Sequence, residues 1–178
     1  MRRFTLPLLA LLGLAALAAC AAMTEEQCRG ADWRAVGVAD GAEGRGPERL
    51  EAHRRACAPA SVTPDARAWE AGRQEGLRLY CRPAKAYDVA RRGGAIRAVC
   101  TSAELERMQA AYDWGREYWR LELEIEDLRS EIRAIDREIA RLPPGAGSFG
   151  GLLARRAMLE SRLGLAELRQ RRYATWPP

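Results

Sequence analysis

Histidine occurs once in this chain, at His53, and lysine once, at Lys85. A single imidazole excludes the multi-histidine metal centres, and any acid–base pair built on it needs a carboxylate as partner. There is no Gly-x-Ser-x-Gly elbow, no His-Glu-x-x-His, no P-loop and no dinucleotide fingerprint. Asp40-Gly41-Ala42-Glu43-Gly44 faintly resembles a calcium loop, but it lacks the spaced acids and the terminal bidentate Glu. The cysteines form no closely spaced pairs, which argues against a zinc site built from four of them. The sequence therefore assigns no metal, no cofactor and no catalytic residue.

What is present starts at the N-terminus. Met1-Arg2-Arg3 is a short positive segment, and Phe4 to Ala19 carries no charge. That run falls short of the ~20 residues needed to cross a bilayer and suits a signal peptide. It ends in Leu17-Ala18-Ala19-Cys20, the form of a lipobox. Ordinary secretion, with cleavage near Ala19-Cys20-Ala21, and an uncleaved membrane helix are the rival readings. The lipobox predicts a lipoprotein signal peptide over 1–19, a lipid-modified Cys20, and a membrane anchor of several acyl chains such as palmitate. Ala21 rather than Asp follows the cysteine, which favours the outer membrane, facing the periplasm.

The formal net charge is +5. Two of those charges, Arg2 and Arg3, leave with the signal. The remaining arginines alternate with acids, as in Asp136-Arg137-Glu138, which makes a solvated helix face rather than a phosphate track. With an export signal in front, no nucleic-acid partner is expected.

With Cys20 set aside, Cys28, Cys57, Cys81 and Cys100 remain. An even number in an exported chain implies two disulfides with three possible pairings. Nearness in sequence favours Cys28–Cys57 and Cys81–Cys100. Either would stabilise by roughly 3 kcal/mol in the chain-entropy model.

The fold class expected is all-α. Residues 20–27 form a tether, 28–100 a disulfide-stapled helical domain, 101–120 a connecting helix, 121–173 an antiparallel coiled-coil hairpin and 174–178 a tail. Thr24-Glu25-Glu26-Gln27 is a capping box opening a helix through Trp33 and Val36. Pro47 starts a helix over about 47–57. Thr63-Pro64-Asp65 starts one running to Tyr80, with Thr63 as its cap. A short helix is expected at about 84–91, and Thr101-Ser102-Ala103-Glu104 opens a long one.

Trp33 is followed by Gly37 and Gly41, Trp69 by Gly72 and Gly76, and Tyr112 by Gly115. Gly costs about 1 kcal/mol in a helix relative to Ala. Small residues four apart repay that by letting helix backbones approach closely. A ligand against bare backbone is the alternative. The spacing is too irregular for a solenoid.

Leu121, Ile125, Leu128, Ile132, Ile135, Ile139 and Leu142 alternate steps of four and three. Pro143 to Gly147 stops that helix. Leu152, Leu159, Leu163, Ala166 and Tyr173 mark a second seam from about Gly151. The short loop favours an intramolecular antiparallel pair over a homodimer, whose state the sequence leaves open.

His53 with Asp40 is the one pairing that suggests a general base with an orienting carboxylate. A packing or capping role for a lone histidine is the competing reading. Cys28-x4-Trp33, Gly37-x2-Asp40-Gly41-x2-Gly44, His53-x3-Cys57, Gly72-Arg73-x2-Gly76-Leu77-x2-Tyr80-Cys81 and Val99-Cys100 together resemble the bacterial family called domain of unknown function 2799, over residues 28 to about 119. The resemblance implies an exported, lipoprotein-like protein whose four cysteines are a framework. It places Asp40, His53, Gly72, Arg73 and Gly76 at pattern positions as candidate ligand residues. Two stretches depart from the pattern: Val38-Ala39 replaces an aromatic before Asp-Gly, and residues 95–98 read Ala-Ile-Arg-Ala. The expectation is a non-enzymatic envelope lipoprotein that meets an envelope protein partner through its hairpin. The alternative is an enzyme or small-ligand module acting on cell-wall material with Asp40 and His53 in the site. Convergence of those two side chains in one concave pocket is what the alternative requires.

Overall fold

The computed structural model describes residues 23–143 and 146–177. The expected signal peptide, Cys20, Pro144, Gly145 and Pro178 lie outside the described residues. No helix among the described residues is long and apolar enough to cross a membrane. The described residues form helices and connecting loops, with no strand. Both disulfides join the neighbours in sequence, Cys28–Cys57 and Cys81–Cys100.

The chain divides between Tyr80 and Cys81. This differs from a single stapled domain over 28–100. Each disulfide closes inside its own unit, so neither holds the two units together.

In the first unit α1 is Glu25–Arg29, α2 Trp33–Ala42, α3 Arg49–Cys57 and α4 Ala66–Tyr80, with a 3-10 turn at Ala58–Ala60 after α3. The Thr24 capping box forms as expected, but its helix does not continue through Trp33. Gly30 ends it, and Asp32 caps a new helix by accepting from the N–H groups of Arg34 (3.0 Å) and Ala35 (3.1 Å). A second local difference lies at α4. Asp65, not Thr63, accepts from the first-turn N–H groups of Arg67 and Ala68, both at 2.9 Å.

α2 and α4 cross with their backbones nearly touching. A Cβ on Gly37 would lie 2.0 Å from the Trp69 carbonyl oxygen, and one on Gly41 2.1 Å from that of Arg73. From the other side, a Cβ on Gly72 would lie 2.0 Å from the Arg34 oxygen and one on Gly76 2.1 Å from that of Val38. No real Cβ fits at those distances, so these glycines are the contact. Close helix packing is what the aromatic–glycine echo serves here. Gly44 follows α2 with a φ of +70° against the Tyr80 ring, where a side chain would be strained and would clash.

In the second unit α5 is Pro83–Ala90, α6 Ser102–Ile139 and α7 Phe149–Arg172. The Thr101–Glu104 capping box opens α6, which runs unbroken for 38 residues. The connecting segment and the first arm are therefore one helix, about 57 Å long at 1.5 Å per residue. Gly115 of α6 meets α5, where a Cβ would lie 2.6 Å from the Tyr87 oxygen.

Ile125, Leu128 and Ile135 of α6 bury against Leu159 and Ala166 of α7, with Ile132, Ile139, Leu152 and Leu163 partly buried beside them. Gln170 bonds Glu122, Arg129 pairs with Glu167, and Arg156 pairs with Asp136. Numbers rise on one helix as they fall on the other, so the two run antiparallel. The tail is tied down as well. Tyr87 Oη donates to the Tyr173 carbonyl (2.7 Å) and Trp114 Nε1 to that of Thr175 (2.9 Å). Burial raises the Tyr87 pKa above its ordinary value.

Candidate functional site

The first unit gathers three side chains on one carboxylate, that of Asp40. His53 Nε2 lies 2.7 Å from Asp40 Oδ2, and Trp69 Nε1 donates to the same oxygen at 2.8 Å. Arg49 Nε stands 3.4 Å from Oδ1, within ion-pair reach but outside hydrogen-bond geometry. Three elements converge here: Asp40 comes from α2, Arg49 and His53 from α3, and Trp69 from α4. Arg49 and His53 are four residues apart, one above the other on the same face of α3. Asp40 can approach the base of Trp69 because Gly37 and Gly41 bring α2 onto α4.

His53 is 2% exposed and Asp40 8%. Trp33 and Trp69 flank the imidazole edge-on, with ring centroids 6.0 and 6.5 Å away. One turn beyond His53, Cys57 is bonded to Cys28, which pins α1 beside α3. A carboxylate can only accept, so Nε2 carries a proton towards Asp40, and in the neutral imidazole Nδ1 is then the acceptor. That Nδ1 is buried and has no hydrogen-bond partner. A buried polar atom left unpaired costs roughly 1–3 kcal/mol, so it calls for an explanation.

Asp40, Arg49 and His53 line an open cleft of about 470 Å³. Its other walls are Met23, Gln27, Gly30, Ala31, Val36 and Ala39. The cleft is apolar at Met23, Ala31, Val36 and Ala39 and polar at Gln27, at Asp40 and at the α3 end. Among the described residues that line it there is no serine, threonine or cysteine.

Asp40 and His53 are thus brought together in one concave site. Gly72, Arg73 and Gly76 do not line it. Gly72 and Gly76 serve the α2–α4 contact. Arg73 is buried, with Nε and Nη2 each 2.8 Å from the Glu70 carboxylate and Nη1 on the Arg45 carbonyl (3.3 Å). The hydrogen bonds from Arg73 hold the Glu70 carboxyl below its ordinary pKa. Arg49 and Trp69 were not foreseen as site residues. The four-residue spacing from Arg49 to His53 was the one local signal for the first.

In the second unit Ala95, Ile96, Leu105, Met108, Gln109 and Tyr112 line a smaller, mostly apolar hollow of about 260 Å³. Both departures from the family pattern therefore fall on cavity walls, Ala39 on the cleft and Ala95-Ile96 on this hollow. Cys81 Sγ, Cys100 Sγ and a Glu104 oxygen lie within 4.8 Å of one another. Both sulfurs are already joined in the disulfide, which removes them as metal ligands.

Residues 32–117 match the model of the family described as protein of unknown function (DUF2799). The match begins at the Asp32 cap of α2 and ends within α6. It takes in Asp40, Arg49, His53 and the packed glycines, and it leaves α7 outside. No curated protein and no solved structure matches the chain.

Proposed function

We propose that this protein is a lipid-anchored component of the bacterial cell envelope that binds its ligands rather than transforming them. The anchor is Cys20, on the lipobox Leu17-Ala18-Ala19-Cys20. The most direct test is intact mass of the protein taken from its host's membranes. An acylated N-terminus at Cys20 is expected; an unlipidated start overturns the anchor and the outer-membrane address together.

The binding reading for the first unit rests on one observation. Asp40 orients His53 at the wall of a cleft while His53 Nδ1 has no partner within the protein. A ligand suited to this cleft places a donor on the polar α3 end and an apolar body along Met23, Val36 and Ala39. The Arg49 guanidinium beside it favours a ligand with anionic character. Asp40 is already engaged by the His53 and Trp69 hydrogen bonds and by the Arg49 ion pair, which supports binding over catalysis. Native mass spectrometry of the membrane-extracted protein tests it. Wild type should carry a small-molecule adduct, and Ala39→Trp, which fills the cleft from its α2 wall, should lose it. Wild type free of any adduct, or the same adduct on both, contradicts the reading.

A second reading, interaction with an envelope partner through the helical hairpin, is favoured by the outward face of α7. Leu153, Met158, Leu165 and Leu168 are exposed there, between 43% and 61%. Recovery of a bound protein by the full chain, and its loss on Leu165→Glu with Leu168→Glu, is the expected result. Equal recovery by both would exclude the hairpin as the contact.

A further inference from the structure

Two helices joined by the Cys28–Cys57 disulfide put three polar side chains on the wall of the cleft, Gln27 from α1 and Arg49 and His53 from α3. Asp40, the fourth polar side chain of that wall, is taken up by His53, Trp69 and Arg49. Each of the other three keeps a hydrogen-bonding capacity of its own kind. Gln27 Oε1 accepts from the Thr24 N–H at 2.8 Å, which leaves the Gln27 amide nitrogen as a donor. His53 Nδ1 is buried without a partner, and in the neutral imidazole it accepts. Arg49 Nε stands 3.4 Å from Asp40, and the guanidinium makes no hydrogen bond among the described residues. A guanidinium is a fork of five donors, so it can face Asp40 on one side and hold a second carboxylate on the other.

The cleft therefore offers a neutral donor, a neutral acceptor and a cation beside the apolar wall of Met23, Val36 and Ala39. A ligand that satisfies all three brings an acceptor, a donor and an anionic group on an apolar body. A fatty carboxylate only accepts, so it leaves His53 Nδ1 unpaired. An ammonium only donates, and Arg49 repels it. An uncharged sugar lacks both the anion and the apolar body. An acylated amino acid carries the whole set within a few bonds: a carbonyl oxygen, an amide N–H and a carboxylate.

Resting on the binding reading above, we infer that the cleft recognises an N-acylated α-amino acid with a free carboxylate. Its amide N–H meets His53 Nδ1, its carboxylate meets Arg49 and its acyl oxygen meets Gln27. Two sources share this chemistry. In the carboxyl-terminal residue of a peptide the apolar part is the side chain; in a fatty-acylated amino acid it is the acyl chain. Either lies along Met23, Val36 and Ala39. A site that hydrogen-bonds a ligand N–H through a buried acceptor rejects the analogue lacking it, because the acceptor is then left unpaired.

The test titrates N-acetylleucine and N-hexanoylglycine calorimetrically into the full chain extracted from its host's membranes. Each is compared with its N-methyl analogue, which lacks the N–H, and with its methyl ester, which lacks the charge. At least one parent should bind one to one, with both of its analogues weaker by about tenfold or more. Tighter binding of N-acetylleucine identifies a peptide end as the source, and tighter binding of N-hexanoylglycine a fatty-acylated amino acid. An analogue that stays within tenfold of its parent overturns the assignment, and so does the failure of both parents to bind. The Ala39→Trp comparison keeps the two claims apart. If both parents fail while wild type still carries an adduct that Ala39→Trp loses, the ligand class falls and the binding reading stands; if that adduct is missing as well, both fall.

Discussion

α2 and α4 touch through glycines, whereas α6 and α7 touch through side chains. In the first pair four glycines set carbonyl oxygens about 2 Å from where a methyl would be. In the second, Leu, Ile and Ala fill a seam that is rimmed by ion pairs such as Arg129–Glu167 and Arg156–Asp136. The close pair has no room to adjust, because backbone cannot repack. The seam can relax around a lost methyl group, because side chains change rotamer. The rigid pair lies where position matters most, since it fixes Asp40 beneath Trp69 and opposite His53. The adjustable pair lies where the chain needs length.

The sharpest way to break this contrast is one methyl group. Gly72→Ala should cost more than about 3 kcal/mol or prevent folding of the first unit, since helices α2 and α4 must separate. Urea unfolding followed by circular dichroism would show it, and a loss below 1 kcal/mol would contradict the backbone contact. Next comes Asp40→Ala, which strands His53 Nε2, Trp69 Nε1 and Arg49 in a buried site. A loss of about 3–5 kcal/mol is expected. Leu159→Ala in the seam should cost about 2–5 kcal/mol, with the helices still paired. A collapse of α6–α7 pairing on that change would mean the seam is no more tolerant than the glycine contact.

The smallest effect is electrostatic. The Thr101 N–H, then the Thr101 hydroxyl, hold the Glu104 carboxyl below its ordinary pKa of 4.5. A depressed carboxyl contributes stability that is full above pH 4.5 and is lost as pH falls through the lower, folded value. Solvent screening limits it to a few tenths of a kcal/mol. Glu104→Gln keeps an acceptor for the capping box but no titrating group, so its stability should lack this acid-side loss. The same loss in wild type and variant would show that other carboxylates, such as Glu70 and Glu117, carry the slope.

Local chemistry made much of the fold legible. Thr24 and Thr101 announced their helices because capping boxes are contained within four residues. The α6 seam was legible from its four-three alternation, and the glycines from their oddness in helices. Asp32 was missed because the apolar spacing through Trp33 and Val36 masks the Gly30 break. The cut between Tyr80 and Cys81 was missed because paired cysteines on both sides suggested one stapled body. In the site, Asp40 and His53 were readable as candidates. Their 2.7 Å contact depends on the α2–α4 crossing, a tertiary fact with no local trace. Gly72, Arg73 and Gly76 shared the family pattern with them, yet their place is in the packing and not in the cleft.

The account turns on which nitrogen of His53 carries the proton. As the chain has one histidine, nitrogen-15 spectra of the full-length protein in alkaline solution contain a single pair of ring signals to assign. A protonated Nε2 and a bare Nδ1 are predicted, because the Asp40 carboxylate can only accept from Nε2, so Nδ1 is the acceptor for a ligand. A proton on Nδ1 would contradict the orienting role of Asp40 and, with it, the binding site.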